Sequence, residues 1–131
     1  FMFFQEVPYT TVQSQYVDVS DNYVQDDSML VKQGVELILS QNSLIESFSV
    51  LISGKKALVG VIPYPLYSRS QRLALEAAIK ADISNVYGFD EVLVSFDMDI
   101  IYEINKLNKR GDITNKEAES LMYSVKVRRD S

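Results

Sequence analysis

The sequence predicts a small α+β fold, a two-layer sandwich with a mainly antiparallel sheet and its helices packed on one face. Three observations lead there. A chain of 131 residues, 47% hydrophobic and 24% charged, has the size and composition of one globular domain with its own core. Apolar residues repeat every two positions in some segments and every three or four in others. Turn and capping residues separate these segments into the order α-β-β-α-β-α-α, after an extended N-terminal arm.

The arm, residues 1–27, is rich in β-branched and aromatic side chains and poor in helix formers, so it reads as extended chain. It also holds Glu6, Asp18, Asp21, Asp26 and Asp27 with no Lys or Arg, which accounts for the whole formal charge of −5. Residues 28–131 form the compact domain, where acids and bases balance. Asp26, Asp27 and Ser28 offer caps for a first helix whose inner face is Val31, Val35 and Ile38, widened by Leu30 and Leu37. Gly34 costs that helix about 1 kcal/mol relative to alanine, which suggests a close packing contact.

In SFSVLISGKKALVGVIP, Gly54-Lys55 fits a two-residue hairpin turn with glycine at positive φ. That register pairs Ile52 with Ala57, Val50 with Val59 and Phe48 with Val61 on one apolar face. The other face pairs Ser53 with Lys56 and Ser49 with Gly60, and reads as wet. Pro63 and Pro65 end the second strand because proline cannot donate to a ladder. Ser68-x-x-Gln71 is a capping box for a second helix carrying Leu75, Ala78, Ile79 and Asp82. EVLVSF is a third strand. Asp97 or Asp99 then opens a helix with Ile100, Ile101, Ile104 and Leu107, which Gly111 ends. Thr114-x-x-Glu117 caps a last helix that buries Ala118, Leu121, Met122 and Val125.

The absence of histidine and cysteine removes zinc-type metal sites, thiol nucleophiles and histidine triads. A calcium or magnesium site from Asp97, Asp99, Glu103 and Asp90 fits poorly, since neither the glycine nor the terminal glutamate of a calcium loop follows. Helix capping explains the two aspartates better, and no cofactor is expected. SGKKA lacks the leading glycine of a phosphate loop. Lys126, Arg128 and Arg129 suit the C-terminal end of a helix dipole, and an acidic arm on a neutral domain disfavours nucleic acid. The stretch PYPLY is a loop that could present Tyr64 and Tyr67 as an aromatic surface. In the arm, Phe3, Phe4, Tyr9, Val12, Tyr16, Val17 and Val19 are the corresponding candidates for contact with a partner.

The second half of the chain resembles the YhcN/YlaJ family of bacterial sporulation lipoproteins. The resemblance is carried by Asn85-Val86-Tyr87, the strand Val92-Leu93-Val94-Ser95, the step Asp97-Met98-Asp99 into IIYEINKL, and Arg110-Gly111 before the last helix. ALVGVI corresponds to the family's strand before its second helix. The likeness covers about residues 28–127 and departs at Gly88–Glu91, where the family runs on directly. The lipid-bearing cysteine of such lipoproteins has no counterpart in this chain, so membrane association would need an anchor the chain lacks. The resemblance implies a small BON-like domain at the spore envelope or surface, outside the cytoplasm, serving spore assembly or germination without catalysis. Expected partners are further copies of the chain or other spore-envelope proteins. The β-prone arm suggests strand donation to a neighbour's sheet, giving a filament or ring. The alternative is a BON-like binding module for an envelope lipid, peptidoglycan or protein.

Overall fold

The computed structural model describes the backbone of residues 21–66 and 68–130 and the side chains of 28–66 and 68–128. Seven elements follow in the expected order: α1 (Asp21–Ser40), β1 (Ile45–Ser53), β2 (Lys56–Pro63), α2 (Arg69–Ser84), β3 (Glu91–Ser95), α3 (Met98–Arg110) and α4 (Asn115–Asp130). This is a small α+β fold on a mixed three-stranded sheet of order β1-β2-β3, with β1 and β2 antiparallel and β2 and β3 parallel.

The hairpin has the register that its residues demand. Ile52 faces Ala57, Val50 faces Val59, Phe48 faces Val61, and Gly54 takes φ 57° in the turn. An irregularity between Ile45 and Ser47 shifts the pairing at the open end, and β2 ends at Pro63. The helix signals act as read. Ser68 accepts from the Gln71 amide at 3.1 Å, Asp97 accepts from Asp99 N at 2.9 Å, and Gly111 adopts φ 86°. Thr114 and Glu117 cap each other: Glu117 N donates to Thr114 Oγ1 at 3.2 Å, and Thr114 N donates to Glu117 Oε1 at 3.1 Å.

The layering differs from the expectation of helices on one face, because both faces of the sheet are covered. On one side Val50, Val59, Val61 and Val94 pack with Val35 and Leu39 of α1 and Leu75, Ile79 and Ile83 of α2. On the other, Leu51, Leu58 and Leu93 pack with Ile100 and Ile104 of α3 and Ala118, Met122 and Val125 of α4. The serines that made this second face read as wet are buried with partners. Ser49 Oγ donates to Asn105 Oδ1 of α3, and Ser53 Oγ donates to Asn115 Oδ1 of α4 at 3.0 Å. Gly60, also on this face, lets α3 approach: a Cβ there would lie 2.8 Å from Ile101 Cγ1 and 3.1 Å from Ile104 Cδ1.

Three local features differ from expectation. α1 begins at Asp21, ahead of the expected caps at Asp26–Ser28, so residues 21–27 are helical and not extended arm. On the same helix Leu30 and Leu37 point outward, and Leu39 fills the core place assigned to them. In α2 the buried stripe is Leu75, Ile79 and Ile83, leaving Ala78 and Asp82 exposed. Gly34 does mark a close contact, since a Cβ there would overlap the Tyr87 hydroxyl.

Two predictions follow from this packing. Gly60→Ala should destabilise the domain by about 1–3 kcal/mol through overpacking, despite alanine's lower backbone entropy cost. Urea unfolding checks it, and adding Ile101→Ala should recover part of the loss. The second concerns acid. A hydrogen bond from the Arg110 guanidinium, then one from the Thr114 amide, holds the Glu117 carboxyl down to about 2 from an ordinary 4.5. Its folded-state value lies below its unfolded one, so its stabilisation is complete above about pH 4.5 and fades as pH falls toward 2. Glu117→Gln should therefore flatten the pH dependence of urea unfolding between about pH 5 and 2.

Candidate interaction surfaces

A three-stranded sheet has two edges, and backbone groups along an open edge are a template for another chain. The β1 edge is bridged. Lys32 Nζ, from α1, donates to Asn108 Oδ1 at 3.0 Å, and Asn108 Nδ2, from α3, donates to the Val50 carbonyl at 3.0 Å. Since α1 and α3 lie on opposite faces, this link crosses the edge and closes it at the middle of the strand. Val50 and Leu51 are buried, whereas Glu46 and Ser47 at the strand's start are exposed. The β3 edge is narrowed by α2 and α4, which leave Leu93 and Val94 buried.

Past the middle of β3 the edge opens into a groove. One depression of about 280 Å³ lies over Val94 and Phe96, between Arg69, Arg72 and Leu73 of α2 and Arg128 of α4. A second, of about 450 Å³, is lined by Pro63, Tyr64, Pro65 and Leu66 and shares Arg69, Arg72 and Phe96 with the first. Arg128 pairs with Asp97, whose carboxyl is held below its ordinary value by the Asp99 amide first and by Arg128 second. Glu76 at the groove wall is buried and pairs with Lys80 Nζ at 3.2 Å. Arg69 and Arg72 are exposed and make no ion pair with a described residue.

The outer face of α1 is the third surface. Met29, Leu30 and Leu37 are each about 60% exposed, and Leu44 just beyond the helix is 49% exposed. Leu30 and Leu37 are seven residues apart, about 10 Å along the helix and on the same side. A wide cleft between α3 and α4, about 700 Å³, carries both signs of charge (Asp99, Glu103, Lys116) beside the exposed Tyr102.

Of the residues singled out in the sequence, Tyr64 is half exposed and lies in the groove. Phe3, Phe4, Tyr9, Val12, Tyr16, Val17, Val19 and Tyr67 lie outside the described residues. Asp97 and Asp99 serve α3, and among the described residues no three acidic groups come together as a metal site. Sequence reasoning missed Lys32, Asn108, Arg69 and Arg72. The arginines had left a signal: they occupy the first turn of α2, where the dipole disfavours cations and no acid accompanies them.

No family model matches the chain, and no curated protein matches it. Among the described residues no helix is long and apolar enough to cross a membrane.

The β1 bridge is testable. Asn108→Ala would leave both the Val50 carbonyl and the Lys32 ammonium without their partner, and should cost about 1–2 kcal/mol in urea unfolding. Lys32→Met should cost less, because Asn108 keeps its bond to the strand.

Proposed function

We propose that this is a non-enzymatic structural or interaction protein that associates with further copies of itself or with other proteins. The observation that carries this reading is the outer face of α1. Large apolar side chains there are left in water at helical spacing, on a domain whose core is otherwise sealed on both sides of the sheet. Exposed leucines two helical turns apart on one side have the spacing by which a helix face docks in a partner's groove. Leu30 and Leu37 do not stabilise the core, so the fold alone gives no reason for leucine at either place.

The setting proposed is the bacterial spore envelope, in spore assembly or germination. That part rests on the resemblance of residues 28–127 to YhcN/YlaJ sporulation proteins. Strand donation by the N-terminal arm belongs to the same proposal. It would have to use the ends of the sheet, near Glu46 and Ser47 or past Val94, because the middle of the β1 edge is bridged and the β3 edge is narrowed by α2 and α4.

Leu30→Ser with Leu37→Ser should lower the mass-average size of the full chain in light scattering, or abolish capture of an envelope partner. The thermal midpoint should move little, since both side chains are exposed. Unchanged association by this variant would remove the α1 face from the proposal.

A further inference from the structure

We infer that the groove at the end of β3 receives the acidic N-terminal segment, residues 1–20, of a second copy of the chain. The inference rests on the reading of the protein as one that associates, but it uses a different surface from the α1 face.

Charge is the first argument. Residues 1–20 contain Glu6 and Asp18 and no base, and Asp21, Asp26 and Asp27 follow directly. The groove presents Arg69 and Arg72, neither in an ion pair with a described residue, on a wall whose own acids, Glu76 and Asp97, pair with Lys80 and Arg128. The arginines have no local reason for their place. A cation in the first turn of a helix opposes the dipole, where an acid would favour it. A guanidinium fork there suits an incoming carboxylate.

Apolar chemistry is the second argument. Beside the arginines stand Tyr64, Pro65, Leu66 and Phe96, a wall suited to aromatic side chains. The segment supplies Phe1, Phe3, Phe4, Tyr9 and Tyr16 alongside its two acids.

Topology is the third, and it allows a second copy to meet the groove. Four residues join α1 to β1, so the two run antiparallel, and Asp21 lies at the hairpin end of the sheet. The Tyr64 amide donates to the Leu44 carbonyl at 2.9 Å, which fixes the end of β2 beside the far end of α1. β3 runs parallel to β2, so Phe96 finishes at that same far end. The acidic segment thus leaves one pole of the domain and the groove opens at the other, about 30 Å away along the 20 residues of α1. Copies stacked head to tail bring the two poles together. The two surfaces differ, so the contact is heterologous and propagates into a chain or closes into a ring.

The experiment uses the full chain in three forms: unaltered, Arg69→Glu with Arg72→Glu, and Glu6→Lys with Asp18→Lys. Sedimentation and light scattering are run at ~50 mM and ~500 mM salt, since screening shortens the reach of exposed charges several-fold over that range. The expected result is concentration-dependent species in the unaltered chain that shrink at high salt, and smaller species for each variant alone. Mixing the two variants should restore association, because each groove then meets a segment of opposite charge. Circular dichroism should show both variants folded, as Arg69 and Arg72 are exposed. A size distribution unchanged by either variant would overturn the inference and leave the α1 face as the association surface. A failure of the mixture to recover, or an unaltered chain that stays monomeric, would overturn it as well. Neither of those two results removes association with other proteins, which the Leu30/Leu37 variant tests separately.

Discussion

Everything in this domain answers to β2, the middle strand of a three-stranded sheet, buried from Ala57 to Val61 without a break. A strand buried on both sides cannot leave any polar backbone group to water, so it needs a neighbour on each edge and a cover on each face. β1 and β3 supply the neighbours, α1 with α2 one cover, and α3 with α4 the other. Ala57, Val59 and Val61 point one way, Leu58 the other, and the glycine at 60 is the place where the second cover comes closest.

Much of this was legible in the residues. Period and cap signals were enough for element order, hairpin register and helix stops, because each follows from local chemistry: Gly54 in the turn, Ser68, Asp97 and Thr114 at helix starts, Gly111 at a helix end. The second buried face was not legible. Ser49 and Ser53 look like surface residues until Asn105 and Asn115, more than fifty positions later, are placed against them, and Gly60 does so until Ile101 and Ile104 are. A polar residue satisfied by a distant side chain carries no sign of burial in its neighbourhood. The start of α1 was not legible because the cap-forming Asp26, Asp27 and Ser28 lie inside the helix that begins at Asp21.

The candidate surfaces divide the same way. Tyr64 was visible because prolines isolate it, whereas the groove it belongs to is assembled from α2, β3 and α4 and has no sequence motif. Leu30 and Leu37 were visible as apolar residues but were assigned to the core. Helical spacing alone does not tell an inner stripe from an outer one when a helix has both. The Lys32–Asn108 bridge is a contact across 76 positions and could be found only in three dimensions.

The polar look of the second face has a consequence for how the chain comes off the ribosome. The hairpin closes across two residues, but β3 must pair with β2 across a crossover containing α2, and α3 and α4 arrive later still. Residues 21–63 can therefore assemble while their second cover is unmade. In that interval the hairpin shows water Leu51 and Leu58 set among Ser49, Ser53 and Gly60, a face too interrupted to act as an uninterrupted adhesive strip. Ser49, Ser53 and Gly60, buried in the finished domain, are what break the apolar run of that face while it is open.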